Sequence, residues 1–408
     1  MIKVVHLADV HLGVENYGRL DPGTGLSTRL TDFVRSIDRV IETALEQEAD
    51  LVVFAGDAYK TRDPSPTYQR AFARRIRRLS QAGLPTVLIA GNHDMPNAAG
   101  RAHTMEIFDT LEIEHVYVAR SPTVFEIETR QGPVQVGALP WVIRSGLLSR
   151  DEYKNKSLAE INTVMLERIE MILNGEEGLV AQLKPGIPHI LVAHGSVQGA
   201  VYGSERTVML GHDLTLPLGL FKNKQWDYVA LGHLHRHQSL ADEQFPPVVY
   251  SGSVERIDFG EEQEDKGFVI AQVERGDCHW AFHKLDTRRF TTVRAQADGA
   301  DPTAQVIEAI ARAEIRDAVV RVIIQTNAEK NPLIDEKEIL RALKDAFYIA
   351  SITRNVERPE RVRLGSQQDV AALTPVEALE RYLQVKQTPP ERIDILLRYA
   401  RTLLSQSP

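Results

Sequence analysis

Along the first ninety residues, apolar runs of strand length alternate with amphipathic stretches. The runs are Ile2 to Val10, Leu51 to Ala55 and Pro85 to Ala90, and helical patterns lie between them over Leu30 to Gln47 and Tyr68 to Gln81. This strand-helix-strand-helix-strand rhythm predicts an α/β layered fold. Further strand-like runs at Val134 to Leu139, Ile187 to Ala193, Tyr228 to Leu231, Val248 to Tyr250 and Phe268 to Val273 extend the block to residue 285. Few are separated by long helices, so a mixed sheet, or two sheets packed together, fits better than a purely parallel one. From Asp286 to Asp301 the pattern breaks into polar residues. A smaller α+β unit follows, with helices near Thr303 to Ala313 and Glu336 to Lys344 and strands at Ala318 to Gln325 and Phe347 to Val356. The expected domains are therefore 1–285, 286–364 and a tail, 365–408, that begins with the polar linker Gly365 to Asp369.

The tail repeats one helix-start signal. Thr374-Pro-Val-Glu377 and Thr388-Pro-Pro-Glu391 each place Thr at the cap, Pro at the first helical position and Glu three residues after the cap. Val376, Leu379, Tyr382 and Leu383 share a face of the first helix, and Ile393, Leu396, Leu397, Ala400 and Leu404 a face of the second. Two such helices dock on their own domain or wait for a partner.

Composition narrows the function classes. The 408 residues carry 48 Lys+Arg against 56 Asp+Glu, a net charge of −8, with 43% hydrophobic residues, which excludes wholesale disorder. The acidic balance argues against binding nucleic acid by bulk charge. No apolar run has the length of a membrane span, and no signal-peptide pattern precedes the first strand, so the expected compartment is the cytoplasm. A single cysteine, Cys278, forbids an internal disulfide or a thiolate metal cluster, leaving His, Asp and Asn for any metal chemistry.

Those residue types recur in five ordered motifs: Asp9-x-His11, Gly56-Asp57, Gly91-Asn92-His93-Asp94, Ala193-His194-Gly195 and Gly232-His233-x-His235. Most follow a strand-like run, and loops at the carboxyl ends of strands converge where α/β proteins bind ligands. The two-residue spacing in Asp9-x-His11 and His233-x-His235 would put both side chains on one side of an extended backbone. Phosphoester hydrolysis by two metals about 3.5–4 Å apart needs such hard and borderline donors, one of them a bridging carboxylate. An isolated histidine is usually structural, but five motifs in order are a site.

The set resembles the calcineurin-like metallophosphoesterases, whose pattern is D-x-H, G-D, G-N-H-[DE], H and G-H-x-H. The resemblance implies that Asp9, His11, Asp57 and His235 hold one metal and that Asp57, Asn92, His194 and His233 hold the other, with Asp57 as the bridge. It further implies that His93 is a non-ligand histidine acting on the scissile phosphate and that Asp94 orients it. Within that superfamily the chain is similar to the SbcD-like exonuclease subunits. Tyr250-Ser-Gly-Ser-Val-Glu-Arg-Ile-Asp-Phe-Gly-Glu261 with Lys266-Gly-Phe268 matches their Y-P-G-S-x-E-R-x-x-F-G-E and K-G-F stretch, and Asp57 to Pro66 their G-D-x-F loop. What this implies is a Mn²⁺-dependent DNA nuclease, a 3′-to-5′ double-strand exonuclease and single-strand or hairpin endonuclease in DNA repair, recombination and replication. It implies a homodimer, with helices at Tyr68 to Gln81 and His103 to Leu111 where the family dimerises, and an SbcC-like ABC-type ATPase as partner. The tail helical hairpin, through Val376, Leu379, Leu383, Ile393, Leu396 and Leu397, would bind that ATPase. Some relatives have histidine three residues after the bridging aspartate; here the position is Lys60.

Outside the motifs, His6, His103, His115, His189, His212, His237, His279 and His283 read as structural, and Trp141, Trp226 and Trp280 as core. Arg74, Arg75, Arg77 and Arg78 make a basic helix face near Asp57, and Arg354, Arg358, Arg361 and Arg363 a second basic stretch. Lys60, Arg62, Arg74, Arg78, Arg358 and Arg361 are the candidate DNA contacts, against the plainer reading of solvated faces. The rivals to a nuclease are a small-substrate phosphodiesterase and a non-catalytic scaffold that binds DNA ends, and none of the seven proposed ligands is missing.

Overall fold

A computed structural model describes residues 1–96, 101–143, 156–203, 214–240, 244–357, 374–386 and 388–404. The chain divides into two compact units. In the first, β1 (Ile2–Leu7), α1 (Thr28–Glu46), β2 (Leu51–Phe54), α2 (Pro66–Gln81), β3 (Thr86–Ile89), α3 (Glu106–Thr110) and β4 (Val116–Ala119) follow in order. Then come β5 (Thr123–Thr129), β6 (Gly132–Leu139), α4 (Leu158–Asn174), β7 (His189–His194), β8 (Tyr228–Gly232), β9 (Gln238–Ser239), β10 (Val248–Tyr250), β11 (Gly267–Glu274) and β12 (Asp277–Lys284).

These strands form two six-stranded sheets, in the orders β12-β11-β1-β2-β3-β4 and β5-β6-β7-β8-β10-β9. The motif-bearing strands β1 to β3 pair in parallel in the first sheet, and β6, β7, β8 and β10 in the second. Alternation along each strand feeds two layers at once. Ile2, Val4, Val53 and Val87 share the core between the sheets with Val136, Val192 and Ala230, while Val5, Leu7, Val52 and Phe54 pack outward on Phe33 and Ile37 of α1 and Phe72 and Ile76 of α2. Strands apolar on both faces read as continuous runs, which is why the periodicity exposes them. The second sheet buries Leu191, Val229 and Leu231 against Ile169 and Leu173 of α4.

The polar reading of Asp286 to Asp301 is corrected, because β13 (Phe290–Gln296) lies inside it. Only Phe290, Val293 and Ala295 of its residues are buried, so the apolar signal is carried by three positions among Thr, Arg and Gln. After it come α5 (Pro302–Ala311), β14 (Val319–Asn327), α6 (Glu336–Ala342) and β15 (Tyr348–Glu357), and the strands pair in the order β13-β14-β15. Each of the three strands starts among first-unit residues and ends among second-unit ones.

The tail supplies α7 (Pro375–Val385) and α8 (Pro390–Leu404), which pack on each other. Thr374 caps α7 in a full capping box with Glu377. At α8 the expected register is one residue off. The Pro389 carbonyl accepts from Ile393, so Pro389 stands at the cap and Pro390 takes the first helical position. Of the residues expected to face a partner, Leu383 and Leu397 are buried, Val376, Leu379 and Ile393 are half-buried and Leu396 is exposed, as are Tyr382, Ile395, Tyr399, Leu403 and Leu404. Among the described residues no helix is long and apolar enough to cross a membrane.

Candidate metal centre

All five motifs sit at carboxyl ends of first-unit strands, and the loops after β1 and β2 run side by side. Asp9 donates its amide to the Gly56 carbonyl at 3.0 Å, His11 to Asp57 at 3.0 Å and Leu12 to Ala58 at 3.0 Å. Here the extended-backbone expectation fails. Asp9, His11 and Asp57 take left-handed conformations, with φ of 52°, 50° and 59°, and His233 has φ of 105°. The loops turn their side chains together by coiling, at a cost of about 1–3 kcal/mol per strained residue that the paired loops and the flanking sheets sustain.

Three overlapping groups of donors result: Asp9, His11 and His235; His11, Asp57 and His93; and Asp57, His194 and His233. Asp57 belongs to the last two, and His11 to the first two. Asp57 Oδ2 lies 3.7 Å from His11 Nε2 and 3.5 Å from His194 Nε2, while its Oδ1 accepts the His93 amide at 2.9 Å. Asn92 Oδ1 stands 3.1 Å from His194 Nε2 and 2.9 Å from His233 Nδ1. The seven expected ligands are thus brought to one place.

The hydrogen bonds behind the rings show what the cluster fits. His194 Nδ1 meets the Ala55 carbonyl at 2.6 Å and must donate to it, so when neutral its Nε2 presents a lone pair to Asn92 Oδ1. His235 Nδ1 meets the Glu261 carboxylate at 2.8 Å, so its Nε2 likewise points a lone pair at His11 Nε2, 3.0 Å away. Lone pairs facing such partners at these part-buried positions need a proton or a cation between them. The donor set of imidazoles, carboxylates and one amide oxygen suits a divalent cation at each end of Asp57.

Electrostatics agree. Burial drives the His11 imidazole well below its ordinary value, so it is neutral and able to ligate. Burial also disfavours the His194 cation, but the Asp57 carboxylate overrides it and raises that imidazole to about 9. Asp57 is correspondingly held well below the usual carboxylate range, since the surrounding histidines outweigh its burial. A cation that takes His194 Nε2 at neutral pH must therefore displace a proton. Mn²⁺ affinity should rise by up to about tenfold per pH unit from pH 7 and level off above the His194 value. Calorimetric titration of the metal-free chain at pH 7, 8 and 9 checks this, and a flat profile would contradict the assigned proton.

His93 is partly exposed, its ring edge-on to His11 at 4.9 Å between centroids. The role expected for Asp94 is corrected. Its buried carboxylate accepts the amides of Asp57 at 2.7 Å, Ala58 and Tyr59 at 3.2 Å and Gly91 at 3.0 Å, so it shapes the Asp57 loop and not the His93 ring. His93 Nδ1 instead donates to the backbone carbonyl of Lys60 at 2.8 Å. Any residue at 60 offers that carbonyl.

Sequence reasoning misses three side chains at the site. Trp141, read as core, lies 5.1 Å from the His233 ring and 6.0 Å from the His194 ring, and its amide donates to Ala90 at the end of β3. Glu261 and Lys266 stand behind His235; both belong to the quoted 250–268 segment, whose charges flank apolar Phe259 and Phe268. Elsewhere, both ring nitrogens of His6 and of His189 are hydrogen-bonded to protein groups. Of the candidate DNA contacts, Lys60, Arg62 and Arg74 are exposed, though Arg62 Nε also donates to the Met95 carbonyl at 2.6 Å. Arg78 lies 3.7 Å from Asp38 and 3.8 Å from Glu42 of α1, with Arg75 2.5 Å from Asp38, so this face is partly matched by acids. Arg358 and Arg361 lie outside the described residues.

The sequence pattern of the calcineurin-like phosphoesterases matches residues 2–237, which includes all seven donors. The chain belongs to that family. This phosphoesterase is also similar to solved structures. One is TT1561 of Thermus thermophilus, at 13% identity over 69% of this chain and 98% of that one, with a TM-score of 0.37. A dimetal phosphatase from Danio rerio matches at 10% identity over 69% and 99%, with a TM-score of 0.38. An archaeal phosphodiesterase matches at 11% identity over 69% and 100%, with a TM-score of 0.29. Family membership makes the chain a metal-dependent phosphoester hydrolase, with the His and Asp clusters as its metal-binding groups. Bound cations supply Lewis acidity toward phosphoryl oxygens and lower the pKa of water.

Proposed function

We propose that this phosphoesterase is a DNA nuclease, the SbcD-like subunit of a complex that processes DNA ends. The observation that carries the reading is the 250–268 segment, which resembles that subfamily in sequence and folds directly behind the metal centre. Its Glu261 holds His235, and its Arg256 is buried among the carbonyls of Glu261, Glu264 and Arg288. The metals are two Mn²⁺, and the substrate is a DNA phosphodiester at double-strand ends, single strands and hairpins. Two copies of the chain form a homodimer, and the α7–α8 hairpin offers its exposed apolar side chains to an SbcC-like ABC-type ATPase in the cytoplasm.

The chain's own residues divide the work. Asp9, His11, Asp57 and His235 would hold one cation and Asp57, Asn92, His194 and His233 the other. The Lys60 carbonyl fixes His93 Nδ1, which leaves Nε2 to deliver a proton to the leaving oxygen. His93→Gln should keep both metals and lose about 10²–10⁴-fold in kcat, measured by single-turnover kinetics beside metal analysis. Native turnover in that variant would remove His93 from the mechanism.

The substrate assignment is tested by comparing kcat/KM for a duplex oligonucleotide with that for bis-p-nitrophenyl phosphate and cyclic nucleotides. The proposal expects DNA to be preferred. Preference for the small esters would make the chain a small-substrate phosphodiesterase.

A further inference from the structure

Behind His235 lies an ion pair that the reaction does not require by itself. Glu261 is 0% exposed and Lys266 1% exposed. Burying a carboxylate and an ammonium costs several kcal/mol per ion, and apolar residues of similar volume often replace such pairs without loss of stability. This pair is fully satisfied. Lys266 Nζ meets Glu261 Oε2 at 2.9 Å, Glu264 Oε2 at 2.8 Å and the His235 carbonyl at 3.1 Å. Glu261 Oε2 also accepts the Ile257 amide at 3.0 Å, and its Oε1 takes His235 Nδ1 at 2.8 Å.

The two ends of the pair therefore grip one residue, the carboxylate by the ring and the ammonium by the backbone. His194 at the other cluster has no such device, its Nδ1 resting on the neutral Ala55 carbonyl. A carboxylate on the far nitrogen of an imidazole fixes its tautomer and orientation and raises the basicity of the nitrogen that ligates.

We propose that Glu261, clamped by Lys266, is a positioning residue for His235 that selectively strengthens cation binding at the Asp9, His11 and His235 end of the centre. The proposal rests on the family's metal centre and not on the DNA reading. Its test therefore measures binding without substrate, so either can fail alone.

The full-length chain, stripped of metal, is titrated with Mn²⁺ by calorimetry as native protein and as Glu261→Gln. The variant should weaken one of the two binding events by about 10–100-fold and leave the other at its native affinity. A merely structural role would weaken both together. If Glu261→Gln fails to fold, the double variant Glu261→Gln with Lys266→Met removes the cation left unpaired and is titrated in its place. Both events unchanged, both weakened alike, or neither variant folding would overturn the proposal.

Discussion

Asp57→Asn should abolish turnover, a loss of more than about 10⁴-fold, while leaving a folded chain. Asp57 is the carboxylate shared by two of the three donor groups, with Oδ2 between His11 and His194. The amide keeps the shape and can still accept the His93 amide, but the charge between the two cation positions is gone. Metal analysis after Mn²⁺ loading should find fewer than two ions per chain. A second consequence follows for the metal-free protein. Asp57 raises His194 from 6.5 to about 9, so the native metal-free fold holds a contribution that is complete below pH 6.5 and lost as the pH rises through about 9. Thermal melts of the variant in chelator should lack that slope. Two bound ions with turnover within tenfold of native would contradict the bridging role.

Gly91→Ala should produce nearly the same loss without removing any donor. A Cβ at Gly91 would lie 2.1 Å from Asp57 Oδ1, 2.6 Å from the Asp57 amide nitrogen and 2.6 Å from His194 Cε1. None of these can retreat freely. Asp94 holds the amides of Gly91 and Asp57 on one carboxylate oxygen, and His194 is tied to Ala55. The single methyl must push the bridging carboxylate off its position, with an overpacking cost of about 1–3 kcal/mol to the fold. Urea unfolding with Mn²⁺ titration separates the two effects. Metal binding should fall further than stability explains, and native metal affinity would show the contact to be soft.

The donors of the site are legible in the sequence because the chemistry demands rare residue types at strand ends, and strands buried on both faces announce themselves as apolar runs. Asp9, His11, Asp57, Asn92, His194, His233 and His235 come together on that logic. What lies behind them is not legible. Glu261 reaches His235 across 26 positions of sequence, and although it closes the stretch that resembles the subfamily, nothing in that stretch names His235 as its partner. Asp94 sits beside His93 in sequence but turns to four backbone amides, because a buried carboxylate takes the nearest unpaired N–H groups. Strand β13 hides for a different reason, since Val293 and Ala295 share one face with Thr291 while Phe290 lies on the other among Thr292, Arg294 and Gln296, so neither face reads as a continuous apolar stripe. Trp141 follows the same lesson, as a residue beyond a strand end whose ring neighbours, His194 and His233, come from the end of β7 and the loop after β8.

The most direct measurement is Mn²⁺-dependent degradation of a duplex oligonucleotide labelled at one end, by the purified chain beside Asp57→Asn, with and without an SbcC-like ATPase and ATP. The account predicts shortening from the 3′ end that needs Mn²⁺ and vanishes in the variant. A chain that binds two Mn²⁺ ions and hydrolyses bis-p-nitrophenyl phosphate, yet leaves DNA intact under every one of these conditions, would contradict it.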